Sequence, residues 1–378
     1  MARRAEPDPT TWWETYGHRL EGAPVAPRPG SEGFGDVRDN PDVPPSNTAE
    51  PVERQHGQQM ATARPFDPDF PDLSEDAVLK PRAARPRAGW RRILYEVTAG
   101  RLNPGPGAAE EARQELLGRI RSPLAGAHRV AVTSIKGGVG KTTVATCLGL
   151  TLAENRGDRA VVLDANPDAG TLADRLTGDS RVTVRELLED LEQVQTWTDV
   201  SRYTSLAGRL QVLASEQDPA AGEAFRRDEY ERVCALLGRF FNIIITDSGT
   251  GLVHSAMEGT LSQADSLVVV GAPTVDGASR ASKTLDWLVA HGHDRLAHDA
   301  VVVLSCDRSS AEVDGARIRE HFAGRVRAVV EVPHDPHLAT GGRVDLSRLR
   351  ARTADAFLEL GALIGDAFDV RAGRNRRS

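Results

Sequence analysis

The chain has 378 residues, 40% hydrophobic and 27% charged, with 35 Gly, 22 Pro and a formal net charge of −7. That length holds one large or two modest domains. The acidic balance excludes a protein coated in nucleic acid while leaving local basic patches open. No charged-then-apolar segment opens the sequence, and no apolar run approaches the roughly 18 residues of a membrane span. A soluble cytoplasmic protein is expected, peripheral at a membrane only through partners. Cys147, Cys234 and Cys306 lie apart in apolar segments without C-x-x-C spacing, which reads as buried thiols in a reducing compartment.

Residues 1–88 are rich in Pro, Asp, Glu and Arg and lack a periodic apolar face. Such a segment cannot bury enough surface to offset its ordering entropy, so disorder is expected. Trp12, Trp13 and Tyr16 make an aromatic island in it, read equally well as a short docking motif or as a cluster without a partner. Residues 89–125 change character. Trp90–Val97 reads as a helix, Asn103–Gly107 as a loop, and Ala108–Arg121 as a second helix with Leu116, Leu117 and Ile120 at helical spacing. This segment is expected to pack on or tether the domain behind it, with Trp90 as its anchor.

The main domain spans 126–370. Apolar runs at Val130–Ile135, Ala160–Leu163, Leu210–Leu213, Phe241–Thr246, Ser266–Val270, Ala300–Leu304 and Val326–Val332 alternate with amphipathic stretches. Those include Asp228–Arg239, Ala278–His291 and Glu312–Phe322, and a last helix is expected over Thr353–Phe368. Continuous Val/Ile runs separated by helices predict an α/β fold, a mostly parallel sheet covered on both faces. The basic tail 371–378 is expected to be a solvated end, with weak lipid or DNA contact the lesser alternative.

The most specific stretch is Ser134-Ile135-Lys136-Gly137-Gly138-Val139-Gly140-Lys141-Thr142-Thr143. An apolar run enters it and a helical segment, Thr142–Asn155, leaves it. Strand, glycine loop and helix N-terminus together surround a phosphate with backbone N–H groups. Lys141 can reach the β- and γ-phosphates and Thr142 can ligate Mg²⁺. The usual G-x-x-x-x-G-K-[ST] pattern is not fully met, since Ile135 stands where its first Gly belongs and Lys136 precedes the Gly pair.

Hydrolysis needs acidic residues at later strand ends. Phe241–Thr246 runs into Asp247, followed by Ser248-Gly249-Thr250-Gly251. That is Walker-B chemistry, with Asp247 holding Mg²⁺ through water and Gly251 freeing a loop near the γ-phosphate. Val161-Val162-Leu163-Asp164-Ala165-Asn166-Pro167 is a second apolar strand with a terminal carboxylate. His334, Asp335 and His337 lie on a proline-broken loop without the i,i+4 spacing of a helix-borne metal pair, and a G-x-S-x-G elbow around Ser248 is absent.

The loop K-G-G-x-G-K-T-T resembles, residue for residue, the deviant P-loop of the MinD/ParA group. The resemblance implies a nucleotide-switch ATPase using ATP and Mg²⁺. It places Gly137, Gly138, Val139, Gly140, Lys141, Thr142 and Thr143 around the phosphates, and Asp164 near Mg²⁺. It also implies that Lys136 crosses a dimer interface to the partner's nucleotide. Asn166 stands where the group's second Asp positions the attacking water, so slow turnover is expected. Asn can orient water but cannot take its proton, and a general base is worth about 10²–10⁴-fold. Asp307 sits where relatives place an Asn for the base, which leaves GTP open, and Pro333, His334 and Asp335 fall on the base-flanking loop.

Within the group there is no late cysteine pair, the last Tyr is Tyr230, and the chain ends in Arg-rich polar residues. The acidic Pro-rich leader, Gly89-Trp90-Arg91-Arg92, the P-loop and Asp164-Ala165-Asn166-Pro167 together resemble the EspI-type ATPases of actinobacterial type VII (ESX) secretion. An ATP-dependent homodimer whose N-terminal region recruits secretion components is therefore expected. The alternatives are a ParA-type partitioning ATPase that binds DNA nonspecifically as the ATP dimer, and a nucleotide-binding scaffold with negligible turnover.

Overall fold

A computed structural model describes residues 85, 89–99, 101–134, 137–166, 170–178, 182–215, 226–250, 255–305 and 313–368. The leader 1–88 apart from Arg85, with its aromatic island, lies outside them, as do Lys136, Gly251, Cys306, Asp307 and the tail 371–378. All described residues fall in one unit, Glu75–Ser378.

Two helices, α1 (Gly89–Val97) and α2 (Ala108–Ile120), precede the sheet region. It opens with β1 (His128–Ser134), α3 (Lys141–Asn155), β2 (Ala160–Ala165), α4 (Leu172–Leu176), α5 (Val184–Glu189) and α6 (Trp197–Ser201). The middle holds β3 (Ser205–Ala207), β4 (Leu210–Leu213), α7 (Arg227–Leu237), β5 (Ile243–Thr250), α8 (Ser255–Gln263) and β6 (Ser266–Gly271). The last part runs α9 (Val275–Ala290), α10 (Asp294–His298), β7 (Val301–Ser305), α11 (Gly315–Ala323), β8 (Ala328–Val332), α12 (Pro336–Ala339) and α13 (Ala351–Gly365).

The strands form one sheet in the order β3-β4-β2-β5-β1-β6-β7-β8. Every pairing is parallel except β3 with β4. The apolar runs are continuous because both faces are covered. Val130, Val162, Ile245, Val268 and Val303 pack on one face against α2, α3 and α13. On the other face Val161, Leu163 and Ile244 meet α5 and α7, while Leu267, Val269 and Val302 meet α8, α9 and α11. Helix α3 is buried almost throughout, from Val144 to Ala153, so the helix leaving the P-loop is also the centre of the core.

Two expectations need correction, and one strand was not foreseen. Trp90 is 65% exposed and does not anchor the leader; Leu117 and Ile120 of α2 do, buried in the core cluster that includes α13. The Ile120 carbonyl accepts from Arg156, and Arg119 pairs with Asp366 at 2.6 Å. The strand expected over Phe241–Thr246 runs instead from Ile243 to Thr250. Phe241 closes α7, its N–H bonded to the Leu237 carbonyl at 2.8 Å. Ser248 stays in the sheet because its hydroxyl donates to the Val132 carbonyl at 2.9 Å. Finally, β3 is an edge strand too short for its alternation to show, joined to β4 by a turn at Gly208 (φ +61°).

Candidate functional site

Parallel strands place their carboxyl ends along one edge, where open α/β sheets bind ligands. The loop after β1 reaches α3 through Gly138 and Gly140, with φ of +74° and +90°. Those left-handed values suit glycine, and a Cβ at Gly140 would stand 3.1 Å from the Ser305 hydroxyl at the end of β7. The loop therefore borders a cleft of about 340 Å³, lined by Gly137–Val144, Thr171, Arg175, Ser305 and the segment Val332–Asp335. Its mixed polar walls and the α3 N-terminus suit a phosphate-bearing ligand.

Beneath the loop lies a small ionic cluster. Lys141 is the first residue of α3, buried, and its Nζ donates to Asp247 Oδ1 at 3.1 Å. The neighbouring Thr142 hydroxyl favours the charged form of Asp247. Asp164 and Asp247 face each other in the register of β2 and β5, each 1% exposed. The N–H groups of Asn166 and Leu172 donate to Asp164 Oδ1 and Oδ2 at 3.1 and 3.2 Å.

Burial, then the neighbouring Asp247 charge, pushes the Asp164 carboxyl up to about 7, against these N–H donors and Lys141. Burial also raises Asp247, opposed by Lys141 and Thr142. Two buried carboxylates thus face one ammonium. A hydroxyl and two carboxylates form a hard oxygen donor set, short of one positive charge, which fits Mg²⁺.

Gly170 explains the tight seat of Asp164. An added Cβ there would lie 1.9 Å from Asp164 Oδ2 and 2.0 Å from the Ser215 hydroxyl. The Gly170 N–H donates to that hydroxyl at 3.1 Å. Asn166 is half-buried beside Asp164, tied to it by its backbone.

The residues expected beside the base divide. Pro333 and His334 border the cleft. Asp335 also borders it, but its carboxylate serves the loop, accepting from His337 N and Arg350 N at 3.0 and 2.9 Å. Burial would raise its carboxyl, but the Arg350 and His337 N–H donors outweigh that and hold it low. His337 Nε2 accepts from Asp345 N at 2.9 Å. No group of three or more metal-ligating side chains occurs among the described residues.

Sequence reasoning missed Arg175. From the short helix α4 its guanidinium donates to Thr143 Oγ1 at 2.6 Å and to the Gly342 carbonyl at 3.1 Å. No spacing rule links it to the P-loop, 32 residues earlier; only the fold does.

Residues 130–355 match the CobQ/CobB/MinD/ParA nucleotide binding domain. The ESX-1 secretion-associated protein EspI of Mycobacterium tuberculosis H37Rv is 35% identical over 290 residues, which are 76% of this chain and 43% of that protein. The chain therefore spans less than half the length of this relative. In fold it is similar to a ParA family ATPase from Chlorobium tepidum TLS, with TM-score 0.54, 15% identity, and coverage of 62% of this chain and 98% of that one. The septum site-determining protein MinD complexed with Mg-ADP from Pyrococcus horikoshii OT3 is also similar, with TM-score 0.52, 18% identity, and coverage of 67% and 100%. The chain belongs to the CobQ/CobB/MinD/ParA nucleotide-binding family.

Proposed function

We propose that this chain is an ATP-binding nucleotide switch that dimerises with ATP and Mg²⁺, hydrolyses ATP slowly and assists a type VII (ESX) secretion system from the cytoplasm. The observation that carries the nucleotide reading is the cluster of Lys141, Thr142, Asp164 and Asp247 under a glycine loop. Loop N–H groups and the α3 N-terminus bind and orient the phosphates. Thr142, Asp164 and Asp247 would hold Mg²⁺, which offsets phosphate charge when bound. Lys141, now on Asp247, is the side chain that turns to the β- and γ-phosphates. Pro333 and His334 flank the base, read as adenine.

Lys136 is assigned to the partner's nucleotide on the strength of the K-G-G-x-G-K pattern alone. Slow turnover rests on Asn166, which orients water without accepting its proton. The secretion role rests on similarity to EspI, and the segment N-terminal to Gly89 is the proposed recruiter of secretion components.

Phosphate release and ATP binding should be measured against Lys141→Ala. ATP binding with release above that control supports the enzyme; binding with release equal to it leaves a scaffold. Lys136→Ala should abolish ATP-dependent dimerisation while sparing binding. Asn166→Asp should raise turnover or leave it unchanged, and a collapse would give Asn166 a specific role. ATP-dependent, salt-sensitive retention of DNA would move the assignment to partitioning.

A further inference from the structure

We propose that α1 is a membrane-surface helix that lays Trp90, Ile93 and Val97 into the interface of an anionic bilayer. These side chains are 65%, 62% and 78% exposed, and α1 contains no buried residue. At about 100° per residue, Ile93, Val97, Trp90 and Leu94 fall on one continuous arc roughly 100° wide. The flank next to Leu94 carries Arg91, Tyr95 and Thr98, which are half-buried as Leu94 is, while Arg92 and Glu96 lie exposed on the far side. Arg91 holds the helix against the following loop, donating to the Pro104 and Pro106 carbonyls at 3.1 and 3.0 Å. Trp90, Ile93 and Val97 are thus turned outward by fixed contacts.

Charge selects the occupant. Residues 80–101 hold seven Lys or Arg and one acid, Glu96, in a chain whose net charge is −7. Glu96 is taken up by Arg92 at 2.8 Å. Among the described residues, arginines stand on both sides of the helix, at 85 and at 101. A positive field spread this widely matches a diffuse anionic surface, whereas a protein groove would pair its charges point by point. A tryptophan at one end, stacked by Arg91 at 5.4 Å, suits the interfacial layer, where amphipathic rings and arginines sit together. Neither α1 nor its arginines line the nucleotide cleft, so this surface stands apart from the nucleotide reading.

The test is flotation of the full chain with vesicles of phosphatidylcholine and phosphatidylglycerol, and with phosphatidylcholine alone. Wild type should float with the anionic vesicles at low salt and be lost as ionic strength rises, since surface attraction is screened within a Debye length. The Ile93→Glu/Val97→Glu variant should bind them at least about tenfold more weakly, with circular dichroism and ATP binding unchanged. Trp90 emission, taken as the difference from Trp90→Phe, should be quenched by brominated lipid. Equal flotation of wild type and double variant would overturn the proposal. So would absence from anionic vesicles, including the case in which the face captures poly-glutamate and no lipid, which would assign it to an acidic protein.

Discussion

Asp164 and Asp247 stand opposite each other on β2 and β5, both buried, with the Lys141 ammonium 3.1 Å from Asp247 as the nearest cation among the described residues. The cluster is therefore one positive charge short, and its stability is tied to protons. In chelator, Asp164 keeps its proton to about pH 7 in the folded chain and to about pH 4 when unfolded. Between these values the folded state binds more protons, so Asp164 makes stability fall as pH rises. Denaturant melts of wild type should lose stability across that window, and Asp164→Asn should flatten the loss. Asp335 and Asp199 act elsewhere: their carboxyls are held low, so their contribution is lost below about pH 4. A wild-type profile parallel to that of Asp164→Asn between pH 4 and 7 would refute the assignment.

Lys141→Ala should do more than abolish nucleotide binding. Removing one partner of a buried ion pair costs about 3–5 kcal/mol, because the other charge stays buried and uncompensated. Asp247, and Asp164 wherever it is ionised, would then lack the Lys141 ammonium. The double variant Lys141→Ala/Asp247→Asn should recover most of that stability in a urea melt while still failing to bind ATP. No recovery would mean that the loss comes from packing of the lysine stem.

Gly170→Ala places a methyl group 1.9 Å from Asp164 Oδ2 and 2.0 Å from Ser215 Oγ. Both atoms lie in close-packed surroundings, so backbone or carboxylate must move. Overpacking of this kind costs roughly 1–3 kcal/mol, and here it displaces a carboxylate proposed to hold Mg²⁺. Isothermal titration of Mg²⁺ with nucleotide should show weakened binding together with a lowered denaturant midpoint. A midpoint drop with unchanged Mg²⁺ dependence would separate the fold from the site.

The sheet and the phosphate loop were legible because their signals are local. Seven apolar runs separated by amphipathic stretches, and glycines beside Lys141-Thr142, depend only on neighbours in sequence. The edge strand β3 escaped because three residues show no usable alternation. The end of β5 escaped because a hydroxyl, Ser248, and not hydrophobicity keeps the chain in the sheet. Trp90 was misread because size suggests burial, while only the fold shows which way α1 turns. Asp335 was assigned to the base from its place on the loop, and its bonds to His337 and Arg350 could not be inferred from spacing.

Arg175 joins two walls of the cleft that sequence keeps far apart, bonding Thr143 in the P-loop helix and the Gly342 carbonyl after α12. The main chain reinforces the junction, since Val344 N donates to the Arg175 carbonyl at 2.8 Å. Because that backbone bond survives truncation, Arg175→Ala should fold with a stability loss of about 1–3 kcal/mol, the net worth of its two side-chain hydrogen bonds. Nucleotide binding should fall as well. A guanidinium beside Thr143 supplies charge-assisted donors to a bound phosphate, stronger than neutral ones, so affinity for ATP should fall about tenfold or more, equivalent to 1.4 kcal/mol per decade. Arg175→Lys should restore charge without the planar fork and recover only part of the affinity. Equilibrium binding of a fluorescent ATP analogue measures all three proteins. Equal affinity in wild type and Arg175→Ala would leave the arginine as a tie between loops that bound phosphate does not touch.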